Sequence, residues 1–208
     1  MLHINTVEHG TLSVLKKLMS LPQLNNFYLV GGTALSLKFG HRISVDLDLF
    51  QQEKFEVETI NKLLLKEFTT EFVNENLNIK FAIFCRINNV KVDFVHYPHN
   101  LIEEPEIMDG IRIYSNKDIA AMKINAILGR GVKKDFWDLY ELLKRYSLED
   151  IMNWHKQKYP SQQLLISIPN ALIYFEDANE SPDPLSLQGQ TWEGVKKYLQ
   201  LKVREYLS

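Results

Sequence analysis

The chain has 208 residues, 45% of them hydrophobic and 24% charged, enough for one large domain or two small ones with a sizeable buried core. Its 24 Lys plus Arg against 26 Asp plus Glu leave a formal charge of −2, which excludes a global basic field, so any site for a polyanion has to be local. The single cysteine, Cys85, excludes an internal disulfide, no apolar run reaches the roughly 18 residues of a membrane span, and MLHINTVEHG lacks the basic and apolar regions of a signal peptide, so a cytoplasmic protein is expected.

In chain order, the apolar positions of residues 7–19 fit an amphipathic helix, and FYLV (27–30), short, aromatic and branched, fits a strand. TALSLKF (33–39) reads as a short helix, 45–50 as a strand and 57–68 as a helix. IKFAIFCRI (79–87) and VKVDFVHY (90–97) flank Asn88 and Asn89, which tolerate the positive φ of a tight hairpin turn. IRIY (111–114) is the last expected strand. Beyond it the pattern is helical. Ser115 with Asp118 and Ser147 with Asp150 have the spacing of N-terminal caps, and Thr191 starts a final helix to Leu207. Residues 176–190, where acid, Pro and Gly accumulate, read as a loop, and there is no internal repeat. The expected class is α+β, with a mixed sheet and flanking helices over residues 1–114 and a helical region over 115–208.

Asp46 and Asp48 lie two apart in the strand-like stretch SVDLDLF, so alternation aims both carboxylates at one face while Val45, Leu47 and Leu49 point to a core. Two anions so placed repel unless a cation sits between them. Hard oxygen ligands with little protein caging suit Mg²⁺ when a substrate phosphate completes its octahedron. Asp93, in KVDFV, has the same apolar-acid-apolar setting and is the expected third ligand. The pattern also fits solvent-facing acids on a half-exposed sheet.

Gly31-Gly32-Thr33 stands between an expected strand and an expected helix. Glycines there let the backbone approach a ligand, and the free N–H groups opening the helix form an anion site that Thr33 would cap or extend with its hydroxyl. Tight strand-to-helix turns need glycine for steric reasons too. With the Asp pair it implies a triphosphate held by amides at one end and metal at the other.

Gly31-Gly32 followed at this spacing by Asp46-Leu47-Asp48, with Asp93 later between apolar residues, resembles the active-site signature of the nucleotidyltransferase fold of the DNA polymerase β-like superfamily. Within it, GGTALSLKFGHRISVDLDLF together with DIAAMKINAILGRGVKKDFWDLYELL (118–143) resembles the AbiEii type of nucleotidyltransferase toxin, the toxic half of type IV toxin-antitoxin or abortive-infection systems. The resemblance spans 27–143. It implies that Asp46, Asp48 and Asp93 bind metal and catalyse, that Gly31, Gly32 and Thr33 form the phosphate loop, and that Lys123 and the Lys134-Asp135 pair form a second catalytic cluster. Arg42 and Ser44, from HRISVD, join the nucleotide-binding set. The implied reaction carries a nucleotide from a nucleoside triphosphate to an acceptor hydroxyl with one or two Mg²⁺ ions; the implied acceptor is RNA, foremost the 3′ end of tRNA, and the implied protein partner an antitoxin.

Physical readings stand beside these roles. Lys123 suits neutralisation of a leaving pyrophosphate, or simple pairing with Asp135 between adjacent helices. Ser44 shares the face of Asp46 if the strand begins early enough, and otherwise makes a strand-entry hydrogen bond. Arg42 reads alternatively as a surface charge capping the preceding helix, and His41 as structural. Lys123, Arg130, Lys133 and Lys134 form a local basic patch or a solvated helix face. In the last helix Tyr198 and Tyr206 interleave with bases, for RNA or for packing. None of the six histidines has metal-ligand spacing, so no zinc site is expected. Two other classes keep the same motifs: a small-molecule nucleotidyltransferase like the aminoglycoside-modifying enzymes, and a catalytically silent binding module.

Overall fold

The computed structural model describes residues 1–76 and 78–208. The chain divides into two compact units, the first made of Met1–Lys38, Ser44–Asn100 and Pro105–Tyr114, the second of Phe39–Ile43, Leu101–Glu104 and Ser115–Ser208. Two short segments ahead of Ser115 thus belong to the helical unit.

The first unit is built on a seven-stranded mixed sheet. Its strands are β1 (Tyr28–Val30), β2 (Leu47–Gln51), β3 (Phe72–Asn74), β4 (Ala82–Ile87), β5 (Val90–His96), β6 (Glu106–Met108) and β7 (Ile111–Ile113), in the order β3-β4-β5-β2-β1-β7-β6. Helix α1 (His9–Ser20) precedes the first strand, and α2 (Gly31–Phe39) and α3 (Val57–Phe68) link β1 to β2 and β2 to β3. The β4–β5 hairpin turns through Asn88 and Asn89 at φ 51° and 62°, as their tolerance of left-handed backbone predicts. Leu29, Leu47, Leu49, Val92 and Phe94 fill the core face, where Phe27 stands edge-on to Phe94 and Phe55 at 5.2 and 5.1 Å. The Arg112 guanidinium donates to the carbonyls of Met19, Leu24 and Phe27 and so closes the end of α1 against β1 and β7.

Two expectations change here. The ladder of β2 starts at Leu47, and Val45, ahead of it, is 47% exposed instead of buried, because alternation governs a side chain only once its backbone is paired. Helix α2 starts at Gly31 and not at Thr33. The three-residue edge strands β3 and β6 are too short to show a sequence period.

The second unit contains α4 (Asn116–Gly129), α5 (Lys133–Leu143), α6 (Leu148–Lys158), α7 (Ile168–Leu172), α8 (Glu176–Asn179) and α9 (Trp192–Leu207). Ser115, Ser147 and Thr191 cap α4, α6 and α9, each hydroxyl accepting the N–H three residues on. Helix α4 packs on α5 and α6, and α9 closes over α5, α6 and α7. Trp137 and Trp192 stack with ring centres 5.9 Å apart, with Phe136 and Phe175 edge-on to Trp192. The tract expected to be a loop carries α8 and an antiparallel bridge between Ser186 and Arg42, with Ile43 N–H donating to the Leu185 carbonyl and Leu187 N–H to that of His41. Tyr198 donates to the Leu143 carbonyl and stands edge-on to Tyr140, so the inner side of α9 serves packing, while Tyr206 is exposed. Among the described residues no helix is long and apolar enough to cross a membrane.

Candidate active site

The site of the first unit forms where β1 runs into α2. Gly31 follows the last residue of β1 and takes φ +70°, a conformation costly to any residue with a Cβ. A Cβ there would also lie 2.5 Å from Asp48 Oδ2. The glycine therefore turns the chain into the helix and leaves room for the carboxylate. Gly32 and Thr33 follow in the first turn of α2, whose leading N–H groups have no partner inside the helix.

Opposite this turn, β2 and β5 run parallel with Asp48 in register with Asp93, so both carboxylates leave the sheet on the face away from Leu47, Leu49, Val92 and Phe94. Asp46 precedes the first residue of β2. It is positioned by Thr33, whose hydroxyl donates to the Asp46 carbonyl and lies 2.8 Å from Ser44 Oγ. Thr33 and Ser44 are both buried, so these hydroxyls are engaged within the protein. Ser44 N–H also donates to the Thr6 carbonyl at 3.0 Å. Ser44 lies three residues before β2, where strand alternation does not fix its direction, and the strand-entry hydrogen bond describes it.

Lys91, two residues before Asp93 on β5, places Nζ 3.2 Å from Asp93 Oδ2. Asp93 Oδ1 is buried and makes no hydrogen bond. Burial pushes the Asp93 carboxyl above its ordinary value; the Lys91 ammonium offsets this in part, and Asp46 and Glu75 add to it. Burial acts to lower Lys91, but Asp93, Asp46 and Asp48 outweigh it and hold the ammonium above its usual range. All three acids and one lysine therefore share a local field. Lys91 escaped the sequence reading, although alternation from Asp93 places it on the same face.

Tested against a hard divalent cation, the donor set fits in chemistry: carboxylates alone, one with an unpartnered buried oxygen, beside a turn that a Cβ would fill. Among the described residues, however, no three acidic, His or Cys side chains gather closely enough to hold an ion in this arrangement. One oxygen of Asp93 is occupied by the lysine instead.

The remaining residues read as functional lie in the second unit, around Asp138. This fully buried carboxylate accepts from His41 Nε2 at 2.8 Å, from Arg42 Nε and Nη2 at 2.7 and 2.9 Å, and from Lys123 Nζ at 2.6 Å. Lys123 Nζ also reaches Asp135 Oδ1 at 2.9 Å, and Arg130 Nε reaches Asp135 Oδ2 at 3.1 Å. Burial opposes the charged form of Asp138, but Arg42, Lys123 and the His41 contact outweigh it and hold the carboxyl well below its ordinary range. Lys123 is held above its ordinary value, since Asp138 and Asp135 outweigh the effect of burial. Arg42 is thus a buried partner of Asp138 and not a surface charge capping α2. The Lys123–Asp135 pair joins α4 to α5 as the interhelical reading has it, and Asp138 is the member that reading omitted. Nor are the bases of 123–134 a bare cationic surface. Lys123 and Arg130 are paired as described, and Lys133 binds Asp183 at 2.6 Å.

Solved structures of similar fold define the class. A candidate nucleotidyltransferase from H. pylori aligns over 97% of this chain and 99% of its own, with a TM-score of 0.56 and 19% identity. MenT4, a nucleotidyltransferase toxin of Mycobacterium tuberculosis H37Rv, aligns over 91% of this chain and 82% of its own, with a TM-score of 0.54 and 15% identity. The fold is that of a nucleotidyltransferase. The family described as nucleotidyl transferase AbiEii toxin, type IV toxin-antitoxin system, matches residues 13–162. The chain belongs to this AbiEii nucleotidyltransferase toxin family. An uncharacterised protein of Aquifex aeolicus (strain VF5), aq_aa25, is 36% identical over 203 residues, 93% of this chain and 94% of that protein.

Proposed function

We propose that the chain transfers a nucleotide from a nucleoside triphosphate to an acceptor hydroxyl of RNA, foremost the 3′ end of tRNA, as the toxin of a pair whose partner is an antitoxin protein. The observation that carries this reading is the in-register pair Asp48 and Asp93, on one face of the sheet, with Gly31 cleared to admit Asp48. Asp46, Asp48 and Asp93 would hold Mg²⁺, one or two ions, which would offset phosphate charge and favour loss of the acceptor proton. The chain's own part is placement. The first N–H groups of α2 receive the phosphates, Gly31 leaves room for Asp48 beside them, and Thr33 fixes the Asp46 backbone. The acceptor oxygen attacks the α-phosphorus in line, the bond to the bridging oxygen breaks and pyrophosphate leaves.

The test incubates the full chain with each labelled nucleoside triphosphate, Mg²⁺ and either total RNA or aminoglycosides. Label at RNA 3′ ends is expected, falling about 100-fold or more in Asp48→Asn and in Asp93→Asn. Label on aminoglycosides alone would replace RNA with a small acceptor. Label on neither sinks the transferase reading.

A further inference from the structure

We propose that Lys91 is a tethered counter-cation of the acid cluster: its ammonium occupies the carboxylates when no divalent ion is bound and leaves Asp93 when one arrives, so that Lys91 sets the metal affinity of the site. The proposal rests on the assignment of Asp46, Asp48 and Asp93 as metal ligands. Its own basis is the arrangement of β5. Lys91 and Asp93 share a face by alternation, Nζ lies 3.2 Å from Asp93 Oδ2, and Asp48 is in register with Asp93 on the next strand.

The two partners differ in freedom. The Lys91 side chain is 42% exposed and that of Asp93 13%, so the ammonium can return to water while the carboxylate stays. Across the ladder Lys91 faces Arg86, a like charge that pairs with Glu75 on its own side and disfavours any turn of Lys91 toward β4. One oxygen of Asp93 is taken by the ammonium and the other, Oδ1, has no partner. The Lys91 ammonium thus sits in the field of Asp93, Asp46 and Asp48, which a divalent ion would neutralise further. With its ammonium half in water, the contact is open to displacement by such an ion.

The test measures Mn²⁺ binding to the full chain without nucleotide, by the loss of the free Mn²⁺ spin-resonance signal and by titration calorimetry. Lys91→Met keeps the aliphatic stem and removes the charge; its Mn²⁺ dissociation constant should fall about three- to fivefold. Lys91→Arg should stay near the wild type, and Lys91→Gln serves if the Met variant does not fold. Asp48→Asn should lose most of the binding, which locates the ion. Unchanged or weaker Mn²⁺ binding in both neutral Lys91 variants, with the wild type still binding through Asp48, overturns the role of Lys91 alone. Absence of Mn²⁺ binding in every variant overturns the metal assignment and this proposal together.

Discussion

Gly31 is constrained twice, by a left-handed backbone and by the carboxylate that would meet its side chain. Gly31→Ala should therefore cost about 1–2 kcal/mol from the backbone alone, and displacement of Asp48 should lower transferase activity beyond what the melting shift explains. A double-mutant cycle separates the parts: in the Asp48→Ala background the collision is gone, and Gly31→Ala should cost less. Thr33 acts through its hydroxyl on the Asp46 carbonyl and Ser44. Thr33→Ser should keep most activity and Thr33→Val lose it, read as kcat at saturating nucleotide. Gly31, Asp48 and Asp93 were legible in the sequence because their placement is local: a turn that needs positive φ, and alternation inside a strand. Thr33, by contrast, bonds the Asp46 carbonyl and Ser44 instead of capping α2, and Asp46 lies ahead of the strand expected to aim it. Val45 was misread at the same scale, since the start of a ladder depends on the partner strand.

Helices α4 and α5 are joined by charges that a sequence pattern places on each helix but cannot pair with the rest of the chain. Asp138 finds Arg42 and His41 at separations of 96 and 97 residues, a distance at which no spacing rule operates. Lys123 and Asp135 were legible as residues, Asp138 and Arg42 as partners were not. Asp138→Ala leaves Arg42 and Lys123 buried with too little negative charge, and the expected loss is about 3–5 kcal/mol, measured by urea unfolding. Arg130, by contrast, has a largely exposed side chain on Asp135, and Arg130→Ala should shift stability only slightly. Asp138 also sets an acid limb. Because the fold holds Asp138 below its ordinary range, its stabilisation is complete above the unfolded carboxylate value of about 3.9 and is lost as pH falls through the folded value. A melting series from neutral to acid pH should show this slope, flattened in Asp138→Asn.

At the scale of the molecule, two units divide the work, a sheet carrying the acids and a helical bundle stabilised by aromatic stacking and buried ion pairs. Expression of the chain is expected to slow bacterial growth and that of Asp48→Ala is not, with altered RNA 3′ ends accompanying the slowed growth; equal slowing by both would count against the toxin reading. The change from mixed α/β to helix was legible from composition and cap signals near Ser115. The crossing segments were not, because Phe39–Ile43 acquires its partners from Leu185 and Leu187, deep in a tract whose composition reads as coil. Leu101–Glu104 is tied in another way: Asp118, buried against Lys158 at 2.7 Å, accepts the N–H groups of Ile102 and Glu103 at 3.0 and 3.2 Å. Two amides in a stretch without helix or strand should consequently resist deuterium exchange as long as α4 stays folded, and in Lys158→Met their protection should fall together.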